Sequence, residues 1–313
     1  MQHRFTAQHV DTWRRDGGVL IPGFFTPEEV AAVCADFETV FQRPTPADKP
    51  LVRVRDGDGD VGNFNPAQFR TFEAVPFDCS PALNLIGVHP ELIAFAREAL
   101  QAPDVHLYQS QVWAKFTGAA DYDQPFHCDF ENHTLVAPSE DVRQNAVTIM
   151  GYFTDVSEAH GPMHYVSRPD SDRIAGPEGT LGGPKATADL HRRLAPYSRS
   201  TAAPAGSIFP YGIDLFHRGT NLTAPRGHRY AVTACFRRAG DDTIGYHAWP
   251  FHHMKPWGRI FAHATPEQLA CFGVHPPGHR FWTEVTLKRA QARYPDWDLS
   301  PYEAAMAKAP MAT

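Results

Sequence analysis

Phe126-His127-Cys128-Asp129-Phe130, read together with Phe216-His217-Arg218-Gly219, decides how this chain folds. Side chains alternate along a strand, so His127 and Asp129 share one face and Cys128 points to the other, where core packing is the default. A second histidine, His217, brought in from a distant strand, completes a set of two imidazoles and one carboxylate. Such a set leaves half of an octahedral coordination sphere open, the arrangement of non-haem Fe(II) oxygenases. A fold that gathers residues from distant strands around one open mouth is the double-sheet jelly roll.

The spacing by itself carries little weight. With 17 His and 35 Asp and Glu in 313 residues, roughly two His-x-acid pairs fall to chance. Two rivals exist, His9-Val10-Asp11 and His89-Pro90-Glu91. The first sits in a stretch patterned as an amphipathic helix, and Pro90 suits the first helical position of another. Residues two apart on a helix point in different directions, so neither rival chelates as a pair. Only His127 and Asp129 lie in an aromatic-rich, strand-like run.

The surrounding pattern agrees with a β core. Val105 to Phe116 is long and β-favouring. Ala146 to Phe153, Met163 to Val166, Gly206 to Phe209, Leu215 to His217 and Arg229 to Phe236 read as further strands. The 28 Pro and 23 Gly suit many short strands with turns. Before them lie two helices, one over about 6–16 ending at Gly17-Gly18, one opened by Thr26-Pro27-Glu28-Glu29, with a short strand Val19-Leu20-Ile21 between. The expected organisation is one mainly β domain over 1–313, with flanking helices. A helical preface covers 1–104, a double-stranded β-helix (cupin-like jelly roll) 105–238, and a C-terminal extension 239–313. Residues 167–204 interrupt the strands, with a short helix from Ala186 to Leu194, and read as a lid.

Composition excludes several classes. A net charge of −6 argues against nucleic acid as a partner. No apolar run is long enough to span a membrane. The opening Met1-Gln2-His3-Arg4-Phe5 lacks the apolar core of a signal peptide. The five scattered cysteines form neither a disulfide framework nor a zinc knuckle. The expected setting is cytoplasmic and the expected partner a small molecule. The run Asp56-Gly57-Asp58-Gly59-Asp60 lacks the closing Glu of a calcium loop, since Ala67 stands there, and reads as a solvated turn. The cluster His247, His252 and His253 reads as aromatic packing rather than a second metal site.

The segment after His217 adds chemistry. An Arg opening the next antiparallel strand returns to the mouth, where its planar fork pairs with a carboxylate. Arg229 is placed for this, and Arg226, in the turn between Pro225 and Gly227, is the competitor. A keto acid chelating the metal by one end would present its far carboxylate to that Arg. The alternatives are ordinary partly buried histidines, or a zinc enzyme, which has no need of the Arg.

These features together resemble the phytanoyl-CoA dioxygenase family of Fe(II)- and 2-oxoglutarate-dependent oxygenases. The resemblance includes Gly18 to Glu29, the His127-Cys128-Asp129 motif, Gly161-Pro162-Met163, the His217-Arg218-Gly219 segment, and the tail from Pro276 to Thr283 with Arg293-Tyr294-Pro295. It implies a jelly-roll core, Fe(II) held by His127, Asp129 and His217, and 2-oxoglutarate held by Arg229. Arg229 falls one position beyond the family's usual spacing, and Thr220 takes the place of the hydroxyl residue that contacts 2-oxoglutarate. Gln109-Ser110-Gln111-Val112-Trp113-Ala114-Lys115 and Asp129-Phe130-Glu131 are similar to ectoine hydroxylases within the family. That match implies substrate contacts from Gln109 and Gln111 and a cofactor contact from Trp113, with Lys115 at the rim. The implied chemistry consumes O2, releases succinate and CO2, and hydroxylates a C–H bond. Asp129 favours hydroxylation over halogenation, in which a small residue replaces the carboxylate. Desaturation, epoxidation, oxidative cyclisation and a non-catalytic jelly-roll binding protein are the alternatives.

Overall fold

The computed structural model describes residues 3–41, 72–117, 123–129, 133, 142–176, 188–241 and 256–308. The acidic run at Asp56, the His247 to His253 cluster, Phe130, Glu131 and the middle of the insertion lie outside these residues.

Helix α1 (Ala7–Asp16) starts where Thr6 caps it in a reciprocal box with His9, and ends at Gly17 in the left-handed region, φ 80°. Helix α2 (Pro27–Phe41) opens with a similar box, Thr26 N–H donating to Glu29 and Glu29 N–H to the Thr26 hydroxyl. Helix α3 (Pro81–Leu85) and helix α4 (Pro90–Leu100) follow, the latter with His89 as its cap.

The strands are β1 (Phe72–Ala74), β2 (Val105–Phe116), β3 (Ala146–Tyr152), β4 (Met163–Tyr165), β5 (Arg199–Ser200), β6 (Ile208–Tyr211), β7 (His217–Gly219) and β8 (His228–Arg238). They form an antiparallel sheet in the order β1-β2-β8-β3-β6 and a smaller one in the order β5-β4-β7. Strand alternation gives the large sheet two faces. Leu107, Val112, Ala114, Val147, Ile149, Val232, Ala234 and Phe236 point outward and form one core with Trp13, Phe37 and Phe95 of the helices. Each such buried side chain contributes about 1.5–3 kcal/mol. The other face turns Met150, Tyr152, Phe209, Tyr211 and Ala231 toward Met163 and Leu215, a second core between the sheets. A bulge at Tyr108 shifts the β2–β8 register between Leu107 and Gln109, so consecutive residues Tyr108 and Gln109 both leave the outer face.

The expected and observed elements differ in three places. Val19-Leu20-Ile21 forms no strand. Instead Gly18 and Ile21 make isolated bridges to Tyr211 and Ile208 along the edge of β6. The 1–104 segment also supplies β1, so the sheet does not begin at 105. The His127 segment is extended but not a ladder strand: only His127 bridges, to His217. Pro125 has no N–H, and the Asp129 N–H goes to Ile213 O in a turn. The insertion holds helices Arg168–Ala175 and Ala188–Leu194. The tail is helical at Pro266–Cys271, Glu284–Arg293 and Ser300–Lys308, around its own cluster of Trp257, Trp282, Trp297 and Tyr302. Among the described residues no helix is long and apolar enough to cross a membrane.

An ion network ties the chain start to α2 and α4. Arg4 donates to both Glu29 oxygens at 2.6 and 3.0 Å, and His89 Nε2 lies 3.0 Å from Glu29. Burial opposes ionisation of Glu29, but Arg4, the Thr26 N–H and His89 outweigh it and hold its carboxyl down at about 2. A depressed carboxyl stabilises the fold above its unfolded value, near 4.3, and that contribution fades as the pH falls toward 2. Melting curves of wild type and Glu29→Gln should therefore differ most at neutral pH and converge below pH 4. A gap that stays constant across that range would contradict this role.

Candidate active site

His127 and His217 exchange backbone hydrogen bonds, each N–H to the other's carbonyl at 3.0 Å, so their side chains start from paired positions. Each ring is then turned by a local carbonyl. His127 Nδ1 lies 2.9 Å from Pro125 O, and His217 Nδ1 lies 2.9 Å from Leu215 O. A carbonyl only accepts, so both Nδ1 atoms carry the proton and both Nε2 atoms are the basic nitrogens. The Nε2 atoms approach Asp129 Oδ1 to 3.9 and 3.6 Å. The three ligand atoms all lie within 4.8 Å of one another. A metal with bonds of about 2.1 Å would draw the three atoms closer together than they stand here, and carbonyl-fixed histidines are the usual outer support of such a centre.

The electrostatics suit a cation. Burial opposes ionisation of Asp129, but His217, His133, His127 and a hydrogen bond from Tyr211 outweigh it, and its carboxyl lies below the ordinary range. The Tyr211 ring also lies against His217, centroids 4.8 Å apart. Tyr108 OH reaches His133 Nδ1 at 2.7 Å in a buried pair. Cys128 points away from the ligands, as alternation requires, and its S–H donates to Asp214 O at 3.2 Å.

A second feature stands on β2 and β8. Lys115 and Arg229 face each other in register and are both buried. Lys115 Nζ donates to Thr220 O at 2.6 Å, Arg229 donates to Gly161 O, and the Thr220 hydroxyl donates to Pro162 O at 2.6 Å. Among the described residues neither Lys115 nor Arg229 has a carboxylate within ion-pair distance, and Arg229 Nε has no hydrogen-bond acceptor. Burial, then the neighbouring Arg229, pushes the Lys115 ammonium well below its ordinary value, and burial lowers Arg229. Two adjacent buried cations with no carboxylate in ion-pair contact, Asp123 acting on Lys115 only from farther off, make a site for an anion. Thr220 follows His217 by three residues, about 10 Å of extended chain, so this cation pair and the three ligands are close neighbours.

The other expected site residues fall on the same sheet face. Gln109, opposite Cys235, accepts its S–H at 3.3 Å. Gln111 lies opposite Thr233 and is half-buried. Trp113 Nε1 donates to Thr233 Oγ1 at 3.1 Å. Arg226 is exposed in the turn. The placement of Lys115 at the rim is corrected: it is 6% exposed, because its long stem lies along the sheet and its ammonium reaches the strand after His217. Tyr211, His133 and Tyr108 carry no signal in the sequence. Their roles depend on a bulge and on packing between sheets.

The sequence profile of the phytanoyl-CoA dioxygenase family matches residues 13–225. The ectoine dioxygenase of Bordetella parapertussis is 29% identical over 163 residues, 51% of this chain and 48% of that protein. That of Bordetella bronchiseptica is 28% identical over the same length. The chain thus spans about half the length of the curated relatives it matches. Among solved structures, the non-heme alpha ketoglutarate dependent carbocyclase SnoK from nogalamycin biosynthesis is similar with a TM-score of 0.56 and 20% identity, covering 76% of this chain and 87% of that one. EctD from S. alaskensis in its apoform is similar with a TM-score of 0.55 and 16% identity, covering 79% and 84%. At these identities the structural likeness establishes the fold, a jelly-roll core with flanking helices.

Lys115→Met removes one of two facing buried cations and keeps most of the stem. It should raise the melting temperature of the ligand-free protein by about 2 °C or more. An unchanged or lower melting temperature would mean that the fold already compensates the ammonium.

Proposed function

Because the chain belongs to the phytanoyl-CoA dioxygenase family, we propose that it is an Fe(II)- and 2-oxoglutarate-dependent dioxygenase that hydroxylates a C–H bond of a small molecule. The observation that carries this reading is the pairing of two sites: a His127-Asp129-His217 set beside the buried cations Lys115 and Arg229. A zinc hydrolase needs the first and has no use for the second. A binding protein that had lost the reaction would have no reason to keep either cation buried.

Within this reading His127, Asp129 and His217 hold Fe(II), which supplies O2 activation coupled to decarboxylation of 2-oxoglutarate to succinate and CO2. A metal held by only these three side chains would have room for a chelating keto acid and for O2. Arg229 and Lys115 receive the far carboxylate, which fixes the keto acid's direction and neutralises the pair. Thr220 and Trp113 line its path, while Gln109 and Gln111 offer amide groups to the substrate. Asp129 occupies the position that halide would need, which favours hydroxylation. Tyr152, Phe209 and Met163 belong to the buried cluster between the sheets, which would limit water at the keto-acid end.

Anaerobic addition of 2-oxoglutarate to the Fe(II)-loaded protein should produce a visible charge-transfer absorption, and His127→Ala should abolish it. Arg229→Ala should raise the 2-oxoglutarate concentration needed for half-saturation by about 30-fold or more, and Arg226→Ala should leave it nearly unchanged. No absorption with iron bound would sink the assignment, and the reverse ranking of the arginines would move the anchor to the turn.

A further inference from the structure

The turn before β7 holds the ligand set through three consecutive carbonyls. Ile213 O accepts the Asp129 N–H at 3.0 Å, Asp214 O accepts the Cys128 S–H at 3.2 Å, and Leu215 O accepts His217 Nδ1–H at 2.9 Å. Two of the three ligands, and the residue between His127 and Asp129, are therefore referenced to one short piece of backbone. That piece is tethered through the Asp214 carboxylate, which Arg143 Nε approaches to 3.4 Å and Arg168 holds more closely. The Asp214 carboxylate, with a side chain 0% exposed, receives Arg168 Nε and a terminal guanidinium nitrogen at 2.7 Å each. The same guanidinium donates to Trp13 O at 3.2 Å and Arg14 O at 2.8 Å, at the end of α1, and to Arg143 O at 3.1 Å.

The neighbourhood is closed to larger residues. A β-carbon on Gly212 would collide with the Asp214 carboxylate and lie 2.6 Å from the Arg168 guanidinium. One on Gly17 would lie 2.8 Å from both Arg168 Cγ and Leu215 Cδ1. Gly212 N–H donates to Gly17 O at 2.9 Å. Two backbones and one guanidinium thus converge on the turn.

We propose that Arg168 and Asp214 are positioning residues of the metal centre: their buried pair fixes the turn whose carbonyls set the His217 ring and the Asp129 backbone. Resting on the metal reading above, the inference assigns the pair a task beyond stability. Neither side chain touches the metal position; both act through Ile213 and Leu215. A loosened turn lets the His217 ring rotate and Asp129 drift, which weakens the metal set by about 10- to 100-fold, as loss of supporting contacts does elsewhere.

The test uses Co(II) as a spectroscopic probe in the full chain, with three proteins beside wild type. Asp214→Asn keeps the shape and loses the charge. Arg168→Lys keeps the charge and loses the fork. His127→Ala removes a ligand. Wild type should bind Co(II) with a d–d spectrum of a two-imidazole, one-carboxylate site, and His127→Ala should lose it. Asp214→Asn should bind at least about 10-fold more weakly with a shifted spectrum, while its metal-free form still melts cooperatively. If Asp214→Asn does not fold, Arg168→Lys decides: weaker binding and a shifted spectrum support the inference. Wild-type affinity and spectrum in either cooperatively melting variant overturn it. Failure of wild type itself to bind Co(II) would overturn the metal reading, and this inference with it.

Discussion

The candidate ligand set depends on one constraint, the hold of a short turn, Ile213 to Leu215, on the segment that carries His127 and Asp129. The two segments are far apart in sequence, and among the described residues one isolated bridge, His127 to His217, joins them, with Gln124 N–H reaching Gly219 O further along. A single bridge does not fix side-chain directions. The turn does so with its carbonyls, and the Arg168–Asp214 pair fixes the turn. Buried ion pairs often add little net stability, because desolvation offsets attraction. Here a carboxylate and a guanidinium join the end of α1, the insertion and the turn before β7 at one point.

The same economy of parts appears at the cation pair. Lys115 and Arg229 come from neighbouring strands whose register is set by many ladder bonds, so their proximity follows from the sheet itself. Thr220 and the Gly161-Pro162 turn close the site with carbonyls. Carbonyls satisfy N–H groups without neutralising charge. The site is therefore buried, polar and electropositive, which costs the fold stability and suits it to an anion.

Much of the fold was legible because its signals are local. Thr6, Gly17, Thr26 and Pro90 mark helix ends through capping chemistry, and alternation in Val105 to Phe116 and Arg229 to Phe236 marks the central strands. The candidate ligand set was legible from residue type and from the aromatic-rich, strand-like run around His127 and Asp129, although the reason differed in detail: the His127 segment is tied to a turn rather than laid in a ladder. What was not legible depends on distant partners. The sequence suggests a surface position for Lys115, since nothing local shows that Arg229 lies opposite it. Tyr211 looks like an ordinary strand residue until β6 is placed beside His217. Arg168 reads as one more charge in an insertion, because its partner lies far along the chain.

The most direct measurement is the binding of 2-oxoglutarate by anaerobic calorimetry, with and without a divalent metal in the site. Adjacent sites that share one chelating ligand must be linked, each tightening the other by the same factor. The account predicts weak binding to the metal-free protein, held by the cations alone, and binding tighter by at least about 10-fold once the metal is present. Equal affinity in both states, or no binding in either, would contradict the claim that His127, Asp129 and His217 and the pair Lys115 and Arg229 form one active site.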